Sequence, residues 1–186
     1  GDSPWSLMVD PSGRFAYAAN SDSDNISVYT ISQTTGALAA GTAVASGDSP
    51  WSLMVDPSGR FAYAANSDSD NISVYTISQT TGALAAGTAV ASGDSPWSLM
   101  VDPSGRFAYA TNFNSDNISV YTINQTTGAL TAGTAVAAGD GSRSVTVDPS
   151  GRFAYTANYY SDTISVYTIN QTTGALTDGT AVASGD

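Results

Sequence analysis

The chain has 186 residues and a formal net charge of −11, from 16 Asp and 5 Arg, with no Glu, Lys, His or Cys. So few cations cannot neutralise a nucleic-acid backbone, and no apolar run is long enough to span a bilayer, so we expect neither nucleic-acid binding nor membrane insertion. The missing charged types include good helix formers, whereas Val, Tyr and Thr are plentiful, which favours strands over helices.

A 46-residue repeat fills the chain. Its copies start at Gly1, Gly47, Gly93 and Gly139, and the first two copies are identical. A period in the forties with this composition is typical of β-propeller blades. The predicted domain organisation is one continuous propeller with blades at residues 1–46, 47–92, 93–138 and 139–186.

Each copy carries four predicted strands, at residues 5–10, 15–20, 26–32 and 38–46 of the first. Asp10, Pro11, Ser12 and Gly13 supply type I turn chemistry between the first two strands. Four strands per repeat is the pattern of a propeller blade. The sequence therefore predicts an all-β propeller of four tandem four-stranded blades that is part of a larger ring or assembly.

The second predicted strand ends on a recurring tetrapeptide, which follows an Asp-Pro-Ser-Gly-Arg-Phe segment. It resembles the YVTN repeat of β-propellers found in bacterial and archaeal surface proteins and in lactonase-like propellers. The four copies are Tyr17-Ala18-Ala19-Asn20, Tyr63-Ala64-Ala65-Asn66, Tyr109-Ala110-Thr111-Asn112 and Tyr155-Thr156-Ala157-Asn158. The resemblance implies a ring of about seven blades.

Four blades do not match that ring, and several arrangements are open. Two chains can complete an eight-bladed ring, which is the arrangement we favour because identical blade faces make the ends complementary. The alternatives are a closed four-bladed monomer, a fragment of a longer propeller, and an open or filamentous assembly. In the two-chain ring and in a filament, the partner is a second copy of this chain.

The resemblance also implies catalysis by His, Glu and Arg at the central channel in lactonase-like members, and this chain has no His or Glu. Most of its Asp residues fall at repeated turn positions. We therefore predict a non-catalytic extracellular or cell-surface scaffold that assembles with itself into a ring or fibril, without catalytic residues, metal or cofactor. The alternative is a carbohydrate-binding propeller, and the third reading is a degenerate lactonase-like enzyme.

Candidate site residues lie where the copies differ. Trp5, Trp51 and Trp97 give way to Arg143 at the entrance to the first strand, where indole rings can stack on a sugar. Aromatic residues also appear late in the chain, as a candidate interface, at Phe113, Tyr159 and Tyr160. Sequons for glycosylation occur at Asn25, Asn71, Asn117, Asn124 and Asn170.

Overall fold

The computed structural model describes residues 1–185, and every regular element in that range is a β-strand. This confirms the all-β prediction, and no helix within the range could cross a membrane.

The first blade contains β1 (Pro4–Val9), β2 (Phe15–Asn20), β3 (Asn25–Ile31), β4 (Leu38–Ala40) and β5 (Val44–Ala45). The second contains β6 (Pro50–Val55), β7 (Phe61–Asn66), β8 (Asn71–Ile77), β9 (Leu84–Ala86) and β10 (Val90–Ala91). The third contains β11 (Pro96–Val101), β12 (Phe107–Asn112), β13 (Asn117–Ile123), β14 (Leu130–Ala132) and β15 (Val136–Ala137). The fourth contains β16 (Ser142–Val147), β17 (Phe153–Asn158), β18 (Thr163–Ile169), β19 (Leu176–Asp178) and β20 (Val182–Ala183).

Each blade is an antiparallel sheet in chain order, and its fourth strand is broken in two. In the first blade, β4 pairs with one end of β3 and β5 with the other. One extra residue separates the two pairings, and the Gly41 N–H spans the break by donating to the Val28 carbonyl at 2.7 Å. The predicted continuous strand at 38–46 is therefore a bulged outer edge, a common feature of exposed strands.

The turn between β1 and β2 is built around the Asp10 carboxylate. One of its oxygens accepts the backbone N–H groups of Arg14 (2.9 Å) and Phe15 (2.8 Å), and the other accepts from Ser12. Gly13 closes the turn at φ 70°. Burial alone would raise the pKa of Asp10, but these hydrogen bonds outweigh burial and lower the pKa. The equivalent Asp residues of the other three blades accept the same hydrogen bond from the Arg N–H.

At each boundary, large side chains of one blade pack onto a face of the next blade that is lined by small residues. Phe15 and Tyr17 of the first blade form one buried cluster with Leu53, Ala62 and Ala64 of the second. Equivalent clusters fill the second and third boundaries. The alternation of bulky and small residues along β2 thus produces a repeating apolar interface, so each blade is stabilised by its neighbours.

Five hydrogen bonds are common to all three boundaries, in addition to the apolar contacts. The Tyr17 hydroxyl donates to the Gly82 carbonyl at 3.0 Å. The remaining four join Arg14 to the Gln79 carbonyl (2.8 Å), the Tyr75 hydroxyl to the Ala45 carbonyl (2.9 Å), the Leu53 N–H to the Ser6 hydroxyl (3.2 Å) and the Ser49 N–H to the Asp24 carboxylate (2.8 Å). All five recur at the other two boundaries.

The four blades form an open arc rather than a closed ring. On the first blade, Leu7 is 64% exposed, whereas its equivalent in the second blade, Leu53, is 3% exposed. On the fourth blade, Tyr155 is only half-buried, whereas Tyr63 and Tyr109 are inaccessible to solvent. The alternative of a closed four-bladed monomer is therefore wrong, because both terminal faces lack a neighbour.

Candidate functional site at the channel rim

The four positions that hold Trp5, Trp51, Trp97 and Arg143 are β-bulges. In the first blade, Pro4 pairs with Asn20 and Ser6 with Ala19, so Trp5 is the extra residue. The same register shift occurs at the three equivalent positions. A bulge redirects a side chain out of the regular pleat. The strands that carry these bulges contact one another from blade to blade, which places the four side chains around one rim of the channel.

The candidate ligand-binding and interface residues form one continuous aromatic array rather than two separate groups. Trp5 stacks on Trp51 with ring centroids 4.9 Å apart, and Trp51 contacts Trp97 at 4.4 Å. Phe113 lies nearly parallel to Trp97 at 4.1 Å. The row continues through Tyr160 to Tyr159. We call these six rings together with Arg143 the aromatic rim.

Arg143 lies between two of these rings and is exposed to solvent. Its guanidinium carbon is 4.7 Å from the ring centre of Trp97 and 5.2 Å from that of Tyr159. Cation–π contacts on both sides hold the planar group in place and leave its edge N–H groups available to an acceptor. The four other arginines follow the Asp-Pro-Ser-Gly turns, so Arg143 is the one cation of this sequence at the rim.

Two cavities flank the fourth-blade end of the rim. One, of about 250 Å³, is lined by Arg143, Tyr159 and Asp162 and extends onto the open face of the fourth blade at Ile164. The equivalent residue of the third blade, Ile118, is buried against the blade that follows it. The second, of about 470 Å³, lies at the boundary of the third and fourth blades, between Phe113 and Tyr160. Its polar lining comes from Asn114, Asp116 and Asp140, and its backbone lining includes Gly141. Aromatic walls with a few convergent polar groups suit a small polyhydroxylated ligand.

Gly141 is a site residue that the sequence reasoning missed. Its equivalents Ser3, Ser49 and Ser95 all hold left-handed backbone, with φ between 52° and 57°, and Gly141 has φ 67°. A Cβ on Gly141 would lie 2.7 Å from the Tyr160 ring and 3.3 Å from Phe113. The signal was present in the sequence, since the fourth crossover loses its proline and gains a glycine where the aromatic residues appear.

The sequon asparagines fall into two structural groups. Asn25, Asn71 and Asn117 are half-buried, and each side-chain oxygen accepts a hydrogen bond from the asparagine that ends the preceding strand. Asn124 and Asn170 are exposed in turns, where each side chain accepts backbone N–H groups. The structure groups none of them with the rim, and their glycosylation stays a prediction.

A family profile described as "Lactonase, 7-bladed beta-propeller" matches the chain twice, over residues 1–100 and 93–185. The two matched ranges together cover all but the last residue. No curated protein sequence matches the chain significantly.

Solved structures with the same fold include proteins named as gluconolactonases. A putative 6-phosphogluconolactonase from Bacteroides uniformis is 22% identical, covers 97% of this chain and 55% of its own, and has a TM-score of 0.90. The periplasmic gluconolactonase of Pseudomonas aeruginosa is 23% identical, covers 98% of this chain and 54% of its own, and has a TM-score of 0.88. The chain therefore spans about half the length of these proteins.

These findings correct the functional prediction made from the sequence. The prediction of a non-catalytic structural scaffold or fibril at the cell surface, and of no enzymatic role, is wrong: the family and the names of these neighbours point to a lactonase-like enzyme. The prediction failed because it treated missing His and Glu as missing chemistry. It also assigned the departures from the repeat at Arg143 and Tyr160 to ligand binding and assembly and not to catalysis.

Sequence profile and fold agree over the same residues. The profile matches both halves of the chain, and the arc of four blades superposes on the solved structures along nearly its whole length. The chain belongs to the lactonase family of seven-bladed β-propellers.

Proposed function

We propose that this arc is part of a propeller that hydrolyses a sugar lactone at the fourth-blade end of the aromatic rim. Family membership and the gluconolactonase neighbours support the reaction class. The observation that carries the location is Arg143, which replaces Trp at a bulge and lies between Trp97 and Tyr159.

Arg143 can supply the positive charge that stabilises the transition state of ester hydrolysis. Attack of water on a lactone carbonyl places negative charge on the carbonyl oxygen, and a guanidinium held in place before the reaction stabilises that charge. The flat faces of Trp97 and Tyr159 hold the apolar face of the sugar ring while its hydroxyls stay hydrated. Arg143 is therefore assigned as the electrophilic residue and the two rings as binding residues.

The general base must be a carboxylate if this arc supplies it, because the sequence has no His or Glu. Asp162 lines the same cavity as Arg143 and is exposed. As water attacks the carbonyl carbon, Asp162 accepts one proton from it. When the tetrahedral intermediate collapses, the ring C–O bond breaks and that proton passes to the ring oxygen, which gives the open hydroxy acid.

The charge of the chain favours a neutral lactone over a phosphorylated one. The net charge is −11, and Arg143 is the one cation placed at the rim to meet a substrate anion. A phosphate would carry its charge into an acidic environment near Asp116, Asp140 and Asp162. We therefore propose faster hydrolysis of D-glucono-1,5-lactone than of its 6-phosphate.

The Pseudomonas neighbour is named as periplasmic, which supports a location outside the cytoplasm for this chain as well. We therefore propose that the protein is located in the periplasm or the extracellular space.

Lactone hydrolysis followed by acid release in a pH-stat tests the function. The wild-type protein is expected to hydrolyse D-glucono-1,5-lactone above the buffer rate. Arg143→Trp restores the residue of the other three blades, so the fold is retained, and we expect kcat/KM to fall about 100-fold. Arg152→Gln removes a guanidinium from the opposite end of the same blade and serves as the matched control. Turnover equal to buffer, or equal in wild type and Arg143→Trp, would rule out this site.

A second candidate function is binding of a neutral carbohydrate without turnover, which the length of the aromatic row favours. Three indoles in contact offer more stacking surface than one small lactone covers. Titration of indole fluorescence with glucose oligomers checks this candidate. Saturable binding that is lost in Trp51→Ala, with no lactone hydrolysis, would establish it in place of the enzyme.

A further inference from the structure

The cavity of about 470 Å³ between the third and fourth blades combines aromatic walls with carboxylates. Its lining consists of Phe113, Asn114, Asp116, Asp140, Gly141 and Tyr160. We propose that this cavity, the third-boundary pocket, binds an alkylammonium group, as carried by a quaternary amine or by a lysine side chain. The inference goes beyond the proposed function and does not depend on it, because lactone hydrolysis is assigned to other side chains.

The third-boundary pocket lies inside the arc and does not depend on either terminal face. It is formed by the loop between β12 and β13, the crossover into β16 and one ring from the loop after β17. The position of Tyr160 is also exposed in the two interior blades, at Asp68 and Asn114, although each of these blades has a neighbour on both sides. A blade packed against the fourth-blade face would therefore leave this pocket open.

Two aromatic rings form the walls of the pocket, and a glycine keeps the space between them open. Phe113 stacks on Trp97 with ring centroids 4.1 Å apart, and Tyr160 is tilted towards Phe113 at 5.5 Å. A Cβ on Gly141 would lie 2.7 Å from the Tyr160 ring and 3.3 Å from Phe113, so a larger residue would fill this space. Aromatic rings attract cations, and groups of such rings bind quaternary ammonium ions.

Two carboxylates add negative charge beside these rings. One oxygen of Asp116 accepts the Gly141 N–H at 2.7 Å, which holds this carboxylate at the pocket. Asp140 is exposed at the mouth. No arginine is among the residues that line the pocket, and Arg143 stacks between other rings of the rim. The lining therefore offers a cation negative charge without a competing positive group.

The same place in the earlier blades has a different chemistry. In the second blade the Ser49 hydroxyl donates to the Asp68 carboxylate at 2.9 Å, and the first blade contains the same pair. The fourth blade has Gly141 and Tyr160 at these two positions, so a hydroxyl and a carboxylate are replaced by open space and a ring. This change favours an organic cation over a metal ion, which requires more oxygen ligands. Residues 1–185 contain no group of three or more side chains suited to hold a metal.

A sugar is the other class of ligand that aromatic walls with carboxylate and amide groups accept. The charge decides between the two classes. The chain has a net charge of −11, and the pocket keeps two carboxylates with no cation in its lining. This field attracts a cation, whereas it gives a neutral sugar no such advantage.

Titration of the ¹⁵N-labelled protein with choline chloride tests the inference. We expect saturable amide shifts at Asn114, Asp140 and Gly141, with a millimolar dissociation constant because the pocket is open to solvent. Asp94 and Ser95 occupy the equivalent crossover of the preceding blade and are the internal control, so their signals should not move. Absence of saturable shifts, or equal shifts at both crossovers, would overturn the inference.

Ligands of matched shape separate charge from other causes of binding. The neutral analogue of choline, in which a carbon atom replaces the nitrogen, is expected to bind at least about 5-fold more weakly. Equal affinity for this analogue, or for D-glucose, would contradict recognition of a cation. Nα-acetyl-lysine amide distinguishes the sources of the ammonium group: tighter binding than choline indicates a lysine side chain of a partner protein, and weaker binding indicates a free quaternary amine.

Substitutions taken from other copies of the repeat identify the walls. Tyr160→Asn introduces the residue type of Asn114, and Phe113→Ser introduces that of Ser67, so both side chains already occur at these positions in the fold. Each variant removes one ring, and we expect choline to bind about 5-fold more weakly. Unchanged affinity in the two variants would contradict the aromatic walls. If one variant does not fold, the other still decides the outcome.

The carboxylate has its own matched pair of variants. Asp140→Asn removes one charge from the mouth of the pocket, and we expect choline affinity to fall about 3-fold. Asp94→Asn makes the same change one blade earlier and should leave the affinity as in the wild type. Equal effects of the two substitutions would mean that only the net charge of the chain attracts choline, which would overturn a site at this boundary.

Discussion

Glycine at the turn before the fourth strand has a different role in neighbouring blades. Gly36 and Gly82 occupy the same turn position at φ 71° and 72°, but a Cβ on Gly36 would meet nothing within 4 Å, whereas one on Gly82 would lie 2.3 Å from the Phe15 ring. The backbone strain of a substitution is therefore equal at the two positions. The steric cost is higher at Gly82, because only there would the new Cβ meet the Phe15 ring.

We predict that Gly82→Ala destabilises the chain by about 1–3 kcal/mol more than Gly36→Ala, because the Phe15 ring must shift in a close-packed interface. Urea denaturation measures the difference. Equal costs would mean that Phe15 moves freely and that the blade boundary is loosely packed.

Buried tyrosines give the protein an alkaline limit. Burial, with the Asp10 charge in addition, raises the pKa of Tyr17 to about 12, and burial raises the pKa of Tyr121 to about 12. Burial also raises the pKa values of Tyr63, Tyr75 and Tyr109. A raised pKa in the folded state means that stability is fully present below the ordinary value of 10 and is lost as the pH rises towards 12.

The sequence makes this limit easy to measure, because without His, Lys or Cys the groups that titrate between pH 7 and 12 are the tyrosines and the N-terminal amine. We predict a nearly constant free energy of unfolding from pH 8 to about 9.5 and a steep loss between pH 10 and 12. Tyr160→Phe, at an exposed ring, should leave this loss unchanged. A decline that begins below pH 9 would contradict the assignment to buried tyrosines.

At the scale of elements, the hairpin turn between the first two strands of each blade depends on one carboxylate. Asp102 accepts the N–H groups of Arg106 (2.8 Å) and Phe107 (2.9 Å) and also binds Ser104. Asp102→Ala leaves the buried Phe107 N–H without a partner, so we predict a loss of about 2 kcal/mol by thermal or urea unfolding. Asp94→Ala, at an exposed position, is the control and should change stability by less than about 0.5 kcal/mol.

The elements also show where sequence reasoning succeeds. The second strand was predicted at 15–20 and is observed at Phe15–Asn20, because turn residues with fixed backbone requirements bound it on both sides. The fourth strand, predicted as continuous, is broken around Gly41. Its small residues carry little side-chain pattern, so the bulge is set by pairing with β3 rather than by local preference.

The candidate site was only partly predictable for a related reason. Departures from the repeat identified Arg143, Phe113, Tyr159 and Tyr160, and the recurring Trp identified Trp97. A single copy of the repeat contains no information on the distances between blades. The structure brings these side chains into one array through bulges and close rim contacts. The bulge at Arg143 and at the equivalent Trp residues is a shift in strand register. The alternation of large and small residues along the strand does not indicate such a shift.

For the whole molecule, the blades are repetitive while the rim is not. The three internal boundaries are built from the same contacts. The rim changes along the chain, from indoles at its start to a guanidinium and phenol rings at its end. In the proposed function, every blade contributes stability, whereas the chemistry depends on a few substitutions near the fourth blade.

The location of the ligand tests this account most directly. Backbone amide shifts of the ¹⁵N-labelled protein titrated with D-gluconate, the product of the proposed reaction, report where the ligand binds. We predict saturable shifts concentrated at Gly141, Arg143, Tyr159 and Asp162, with the equivalent residues of the first and second blades unchanged. Shifts spread equally over all four blades, or no shifts at millimolar gluconate, would contradict a site at the fourth-blade end of the rim.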